Sequence, residues 1–592
     1  MFAVTLLAIL LAFLSAPAAL AAGNKTLALN FPAVPDSATN VVQSNFLGIS
    51  WELYPLYYLW GEKPETMPNA MKNYLSNIRA RMSSPLRIRV GGNSMDGSRY
   101  AADQKEMILL FDENAYYNDV PCEFGPLLFD VLTAMADVVG EMQFIIGLSM
   151  RTPSSDDNIV ELAAAARDKL GDRLDAMLLG NEPDLYAGHG ERDAYTIKDY
   201  IPEVKQVFDD FANSVYGNIT NTTIIGGPTV CCSWNLNDVL EAGLDKLPYK
   251  YYTIQHYPTN VCGGISASSS NISYYISHAN VAPFLRWNDA GIKLAKNASV
   301  PILLTEYNSA SCGGDPSVAR TFAAGLWAID AALQGASLNF TGMYLHTREL
   351  GVTYNLFDPP SEKTYLNSDW RTGAVYYAML VLAEALTKTS IVVDLNLNNS
   401  ANSYDATIAG YGIYDGETHN KSGLVLFNYD YPRALDNSST SAFFDSPDAK
   451  LATPSVGGNS TQVFVLPGNM SSTIGVRYFL AANITEKTDI TWAGQTVGSN
   501  GDLQGTQAMD VIDCADGCTI AVPGPGLAVV WLEPASDQQA TNIFVGNSTI
   551  AGVYACTLDI INAAPKLNNG VGMAAALALF GVLSSWLVDL FI

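Results

Sequence analysis

LDAMLLGNEP, residues 174–183, is the stretch on which the fold turns. Six residues of strand character, Leu174 to Leu179, end in Gly180 and then in Asn181, Glu182 and Pro183. A short apolar run closed by Gly and Pro reads as a strand buried on both faces, which is the habit of parallel sheets. Glu182 stands just past its end, where a charge is costly unless it is paired or does chemistry. The pattern recurs at PILLTEYN (301–308), where Glu306 follows the run Ile302–Thr305.

Working outward from these two, six more runs of the same kind appear. They are FLGISWEL (46–53), PLRIRVGGN (85–93), MQFIIGLSM (142–150), TTIIGGPTV (222–230), YYTIQHYP (251–258) and TGMYLHTR (341–348). Amphipathic stretches such as VELAAAARDKL (160–170) and VARTFAAGLWAIDAALQ (318–334) fall between them, and DWRTGAVYYAMLVLAEAL (369–386) follows the last. Eight strand–helix units in succession predict a (β/α)₈ TIM barrel over 46–390, the 369–386 helix closing it. An open doubly wound sheet would carry a Gly-rich phosphate loop after its first strand, and here that strand ends in Trp51-Glu52-Leu53.

Beyond 390 the rhythm shortens. GLVLFNYD (423–430), TQVFVLP (461–467), GVRYFLAA (475–482), CTIAVP (518–523) and LAVVWLEP (527–534) alternate in polarity between Asn, Ser, Gly and Pro turns. This predicts a C-terminal antiparallel β-sandwich over 391–535, joined by an N-terminal strand within 23–45. Residues 1–22 read as a secretory signal peptide closing on Ala19-Leu20-Ala21. Residues 536–570 read as a stalk, and 571–592 as a hydrophobic tail without following Lys or Arg, the form of a GPI-attachment signal. An ordinary membrane-anchoring helix is the alternative for that tail. Sequons at Asn218, Asn221, Asn271, Asn297, Asn339, Asn420, Asn459 and Asn483 fit a secreted or cell-surface glycoprotein.

The chain carries 32 Lys and Arg against 58 Asp and Glu, a net charge of −26. Such a surface repels polyanions, which excludes nucleic acid and disfavours heavily sulfated glycans as partners. Eight cysteines in an oxidising compartment should largely pair; Cys514 with Cys518 and Cys262 with Cys312 are the expected pairs, with Cys122, Cys231, Cys232 and Cys556 unassigned. Neither C-x₂-C pairs nor His clusters occur at ligand spacing, so neither metal nor cofactor is expected.

A lone glutamate at a strand end is more often an ion-pair partner than a catalyst. Two of them, ending the fourth and seventh strands of a barrel, face each other across its C-terminal mouth. That is what glycoside cleavage needs: Glu182 as acid/base to protonate the leaving oxygen, Glu306 as nucleophile on the anomeric carbon. Asn181 is placed to bond the sugar 2-hydroxyl. Arg87 and Arg89 read as partners for acids in the barrel, and His256 as a mouth or core histidine.

SWELYPL (50–56), RIRVGGNS (87–94), LGNEPDLY (179–186), QHYP (255–258), LLTEYNS (303–309) and GVTYNLF (351–357) together resemble glycoside hydrolase family 79, the β-glucuronidase and heparanase family. The resemblance implies a retaining exo-β-glucuronidase acting on glycans with terminal β-linked glucuronate, 4-O-methylated or not. It also implies substrate-binding roles for Glu52, Asn93, Tyr257, Gly313, Tyr354 and Asn355, with Tyr257 within reach of the nucleophile. Tyr354, Asn355 and the amides around Gly313 would hold the sugar carboxylate without a dedicated Arg. An endo-acting heparanase, a neutral-sugar β-glycosidase and an inactive glycan-binding protein are the competing readings.

Overall fold

The computed structural model describes residues 25–111, 120–152, 158–361, 369–386, 388–431, 460–533, 541–545 and 548–553. The expected signal peptide and hydrophobic tail lie outside these residues, as does most of the expected stalk. No helix among the described residues is long and apolar enough to cross a membrane.

Eight parallel strands close a barrel in chain order. They are β1 (Leu47–Glu52), β2 (Leu86–Gly91), β3 (Met142–Leu148), β4 (Leu174–Leu179), β5 (Ile225–Val230), β6 (Tyr251–Gln255), β7 (Ile302–Tyr307) and β8 (Gly342–Thr347), with β8 pairing back onto β1. Ile145, Ala176, Leu178, Tyr251, Leu303 and Tyr344 pack together inside it. These inward positions alternate with outward ones that meet the surrounding helices, so both faces of each strand are dry and the runs read apolar throughout.

The C-terminal region supplies β9 (Thr389–Asp394), β10 (Ile408–Asp415), β11 (Lys421–Asn428), β12 (Thr461–Pro467), β13 (Thr473–Ala481), β14 (Gly517–Pro523) and β15 (Gly526–Trp531). One antiparallel sheet runs Val41–Gln43, β9, β10, β11, β15, β13, Ile490–Trp492. A smaller sheet joins Lys25–Ala28, β12 and β14, the first pair parallel. Leu424 and Leu426 of β11 face the core between the two sheets, while Val425 and Phe427 belong to the core shared with the barrel. Each such side chain contributes about 1.5–3 kcal/mol on burial, so the period-2 pattern fixes both interfaces at once.

The helices Phe322–Ser337 and Tyr376–Ala385 are buried along nearly their whole length. They are apolar all round because the barrel covers one side and the C-terminal sheet the other. Both begin later than the sequence suggests. Phe322 and Ala323 give their amides to Glu486 and Ile484 of the C-terminal region, which sets the first helix start. Arg371–Thr372 pairs as a short strand with Phe357–Asp358, and this holds the preceding segment out of the second helix.

Disulfides join Cys262 to Cys312 and Cys514 to Cys518, and a third links the neighbours Cys231 and Cys232. Cys122 is a buried free thiol. Asn218, Asn221, Asn297 and Asn420 are exposed, as glycan acceptors must be.

Candidate active site

The inward positions of the strands converge at the C-terminal mouth. On β1 they are Ser50 and Glu52; past β4 the alternation from Leu178 reaches Gly180 and Glu182; on β6 it runs from Tyr251 through Gln255 to Tyr257. Strand β7 departs from this rule. Leu303 packs inside the barrel, so simple alternation would turn Glu306 outward. The register slips there: Ile254 pairs with Leu304, but Gln255 pairs with Glu306, and Leu304 and Tyr307 span only Met343 to Leu345 on β8. This bulge re-aims Glu306 into the mouth.

Glu306 is 8 % exposed. Its Oε2 accepts from Arg89 Nη1 at 3.0 Å and its Oε1 from Tyr257 Oη at 2.9 Å. Arg89 is buried, and its other bonds go to Ser50 Oγ (2.9 Å) and Asn181 Oδ1 (2.7 Å). A charged donor and a phenol thus share this one carboxylate.

Glu182 has a different setting. Its backbone is left-handed, φ 50° and ψ 52°, a conformation that costs a non-glycine residue about 1–3 kcal/mol and gathers at functional sites. The chain is held there by the Glu182 amide on Thr229 O (3.2 Å). Asp184, two residues on, accepts from the amides of Cys232 (2.8 Å) and Ser233 (2.7 Å) beyond β5. The Gln255 amide, turned to satisfy its neighbours, donates to Glu182 Oε1 at 2.9 Å. Burial, then the charges of Glu306 and Asp184, push the Glu182 carboxyl well above the usual carboxylate range, with Arg89 opposing.

Around this pair stand the other expected residues. Asn181 Nδ2 donates to Asn93 Oδ1 (2.6 Å), so both line the floor beside Glu182. Tyr354 is fully buried beside Tyr257, the rings 6.4 Å apart and near parallel. Gly313 is buried at φ 110°, beside the half-cystine Cys312, and its carbonyl accepts from Thr353.

Two of the expected substrate-binding residues already hold bonds within the protein. Glu52 is 1 % exposed and accepts from the Ser94 amide (2.8 Å), the Ser94 hydroxyl (2.5 Å) and the Asn93 amide (3.3 Å). It fastens the loop after β2, where Gly92 at φ 78° leaves no room for a Cβ, which would lie 2.2 Å from the Glu52 carboxylate. Burial works to raise the Glu52 carboxyl, but His346 and Ser94 hold it below its ordinary value. Asn355 likewise has its side chain committed within the protein, accepting from the Arg348 amide (2.9 Å) and donating to Glu349 O (2.9 Å) and Asp358 Oδ1 (2.8 Å). It shapes the loop beyond β8.

Ser50, Gln255 and His346 were not singled out from the sequence. His346 Nε2 lies 3.4 Å from Glu52 and 3.5 Å from Glu306, with its Nδ1 on Ser50 Oγ at 3.0 Å. All three hold inward positions at the last turn of a strand, and that is the signal that marks them. His256 instead stacks on Trp287 with centroids 4.4 Å apart, and burial pushes its imidazole down to about 4.

Residues 410–529 match the glycosyl hydrolase family 79 C-terminal beta domain. A beta-glucuronidase of Aspergillus niger is 27% identical over 507 residues, covering 78% of this chain and 84% of its own length. A beta-glucuronidase of Neurospora crassa is 23% identical over 484 residues, covering 75% of this chain and 83% of its own. The crystal structure of a 4-O-α-L-rhamnosyl-β-D-glucuronidase from Fusarium oxysporum shares the fold with a TM-score of 0.68 at 21% identity, covering 86% of this chain and 100% of the other. The C-terminal region thus matches a family 79 domain, and the chain is similar to these beta-glucuronidases across both the barrel and the C-terminal sheets.

Proposed function

We propose that the protein is a retaining β-glucuronidase that removes terminal β-linked glucuronate from glycans, with Glu182 as acid/base and Glu306 as nucleophile. The observation that carries this reading is the opposite treatment of the two carboxyls. Arg89 and Tyr257 both donate to Glu306, whereas burial and neighbouring acids push the Glu182 carboxyl well above the usual carboxylate range.

In the first step Glu306 attacks the anomeric carbon as the glycosidic C–O bond breaks, and the Glu182 proton passes to the departing oxygen. In the second, Glu182 takes a proton from water, whose oxygen displaces the Glu306 ester; the sugar leaves with its configuration retained. Asn181, its Oδ1 fixed by Arg89, presents an N–H to the sugar 2-hydroxyl. Tyr354 and the backbone near Gly313 face the carboxylate end.

Glucuronate as the sugar is supported by the two beta-glucuronidase relatives that align over three quarters of the chain. Exo action is favoured over heparanase-like cleavage because 58 acidic against 32 basic residues is the wrong balance for a sulfated polymer. Secretion, and a lipid anchor at the tail, belong to the same proposal.

The test is a panel of nitrophenyl glucuronide, glucoside and arabinofuranoside, followed by Glu182→Gln on glucuronides of differing leaving group. Wild type should prefer the glucuronide. The variant should lose about 10²–10⁴-fold where the leaving group is an alcohol, and much less where it is a nitrophenol that departs unaided. Equal losses on both would remove Glu182 from the acid role.

A further inference from the structure

The residues just past β4 are tied to the end of β5 at alternate positions. Gly180 O accepts from Thr229 Oγ1 (2.6 Å), and the Glu182 amide donates to Thr229 O (3.2 Å). Asp184 then accepts from the amides of Cys231 (3.2 Å), Cys232 (2.8 Å) and Ser233 (2.7 Å). Asp184 is buried, and every donor it meets among the described residues is a backbone amide of this one loop. Successive amides converge on one acceptor only where the backbone curls round it. Here the curl is closed covalently, because Cys231 and Cys232 are bonded to each other. A disulfide between neighbours removes far less freedom from the unfolded chain than Cys262–Cys312, which spans 50 positions. What it restricts is the peptide unit between the two cysteines, and the N–H of that unit is the Cys232 amide that Asp184 accepts.

We propose that Asp184 and the Cys231–Cys232 disulfide are positioning residues for the acid/base: the disulfide shapes the amide cup, the cup seats Asp184, and Asp184 fixes the left-handed turn on which Glu182 stands. The proposal rests on the reading of Glu182 as acid/base given above. A left-handed residue other than glycine persists only where its neighbours over-determine it. Thr229 holds the turn on its upstream side and Asp184 on its downstream side. The precision matters, because a reacting group misplaced by about 1 Å costs about 10²-fold in rate. Asp184 also bears on the proton itself: after burial and Glu306, its charge is the next to push the Glu182 carboxyl up.

The experiment measures kcat/KM across pH on nitrophenyl β-glucuronide and on a β-glucuronide with an alcohol leaving group. It compares wild type, Glu182→Gln, Asp184→Asn and the double variant Cys231→Ala/Cys232→Ala, with Cys514→Ala/Cys518→Ala as a control on the C-terminal disulfide at β14. On the alcohol substrate Asp184→Asn should lose about ten- to a hundredfold and the Cys231→Ala/Cys232→Ala variant about three- to tenfold. Both should lose much less on the nitrophenyl substrate, whose leaving group departs without a proton. The basic limb of the alcohol profile should move to lower pH in Asp184→Asn, since one neighbouring negative charge is gone. The control should keep the wild-type ratio of the two activities. Equal losses on both substrates with the limb unmoved would make Asp184 a structural tie and overturn the proposal, and an unchanged ratio in Cys231→Ala/Cys232→Ala overturns the part of the disulfide. Should Asp184→Asn not fold, the cysteine variant decides alone. Should neither fold, the pair is opened in folded wild type with a dithiol, which reaches the exposed Cys232, and the same ratio is read. A Glu182→Gln variant that loses both substrates equally overturns the acid/base reading itself, and the positioning role falls with it.

Discussion

The barrel mouth and the seam between barrel and C-terminal sheets both bury glutamates, and they treat them in opposite ways. At the seam Glu384 accepts from Arg81 (2.7 Å), Arg477 (2.6 Å) and Trp492 Nε1 (2.9 Å). Nearby Asp330 accepts from Tyr411 (2.5 Å), Tyr429 (2.6 Å) and His278 Nδ1 (2.9 Å). These acids are matched by donors from both sides of the interface. At the mouth, Glu306 accepts from Arg89 while burial and neighbouring acids push the Glu182 carboxyl up, on a left-handed backbone. Pairing at the seam matches each acid with several donors; at the mouth the two glutamates are treated differently, as the proposed acid/base and nucleophile roles require.

The largest expected effect breaks the mouth without the seam. Glu306→Gln should lower kcat by about 10³-fold or more while leaving the melting temperature within a few degrees of wild type. A variant that melts far lower yet turns over normally when folded would make Glu306 a structural ion-pair residue.

The converse change comes next. Glu384→Ala leaves Arg81 and Arg477 buried without their shared acid and should cost about 3–5 kcal/mol in denaturant unfolding. The kcat of the molecules that remain folded should hold within about twofold. If kcat fell in proportion to stability, the seam would be coupled to the chemistry and the contrast would fail.

The smallest effect concerns pH, and it separates the regions by where they titrate. Near the mouth, burial lifts Asp96 from 3.8 to about 7, opposed by Arg151 and Tyr186. At the seam, burial would lower His278, but Asp330 and Asp394 raise it from 6.5 to about 10. Both folded values lie above the unfolded ones, so each contribution is complete at low pH and is lost as pH rises through the folded value. The melting temperature should therefore fall in two stages, first between about pH 4 and 7 and then toward pH 10. Asp96→Asn should flatten the first stage and His278→Gln the second. A melting temperature rising from pH 5 to 7 in wild type would contradict the sign.

The amino-acid sequence by itself determined the barrel, because a strand dry on both faces must read as an apolar run and eight such runs separated by helical stretches leave few other architectures. It determined the C-terminal sheets by period-2 alternation, as Leu424 and Leu426 against Val425 and Phe427 illustrate. It also singled out Glu182, since an acid after Leu174–Leu179 lies where alternation carries it inward. Only the tertiary structure decided the facing of Glu306, because Leu303 on the same strand predicts the opposite side and one extra residue in the β6–β7 register reverses it. Likewise, nothing local shows that Glu52 holds the loop after β2, or that the Asn355 amide meets Arg348, Glu349 and Asp358. Side-chain chemistry says what a residue can bond. Which of those bonds the protein has already made depends on neighbours hundreds of positions away, as Ser50, Arg89, Asn181 and Glu306 meet from four different strands.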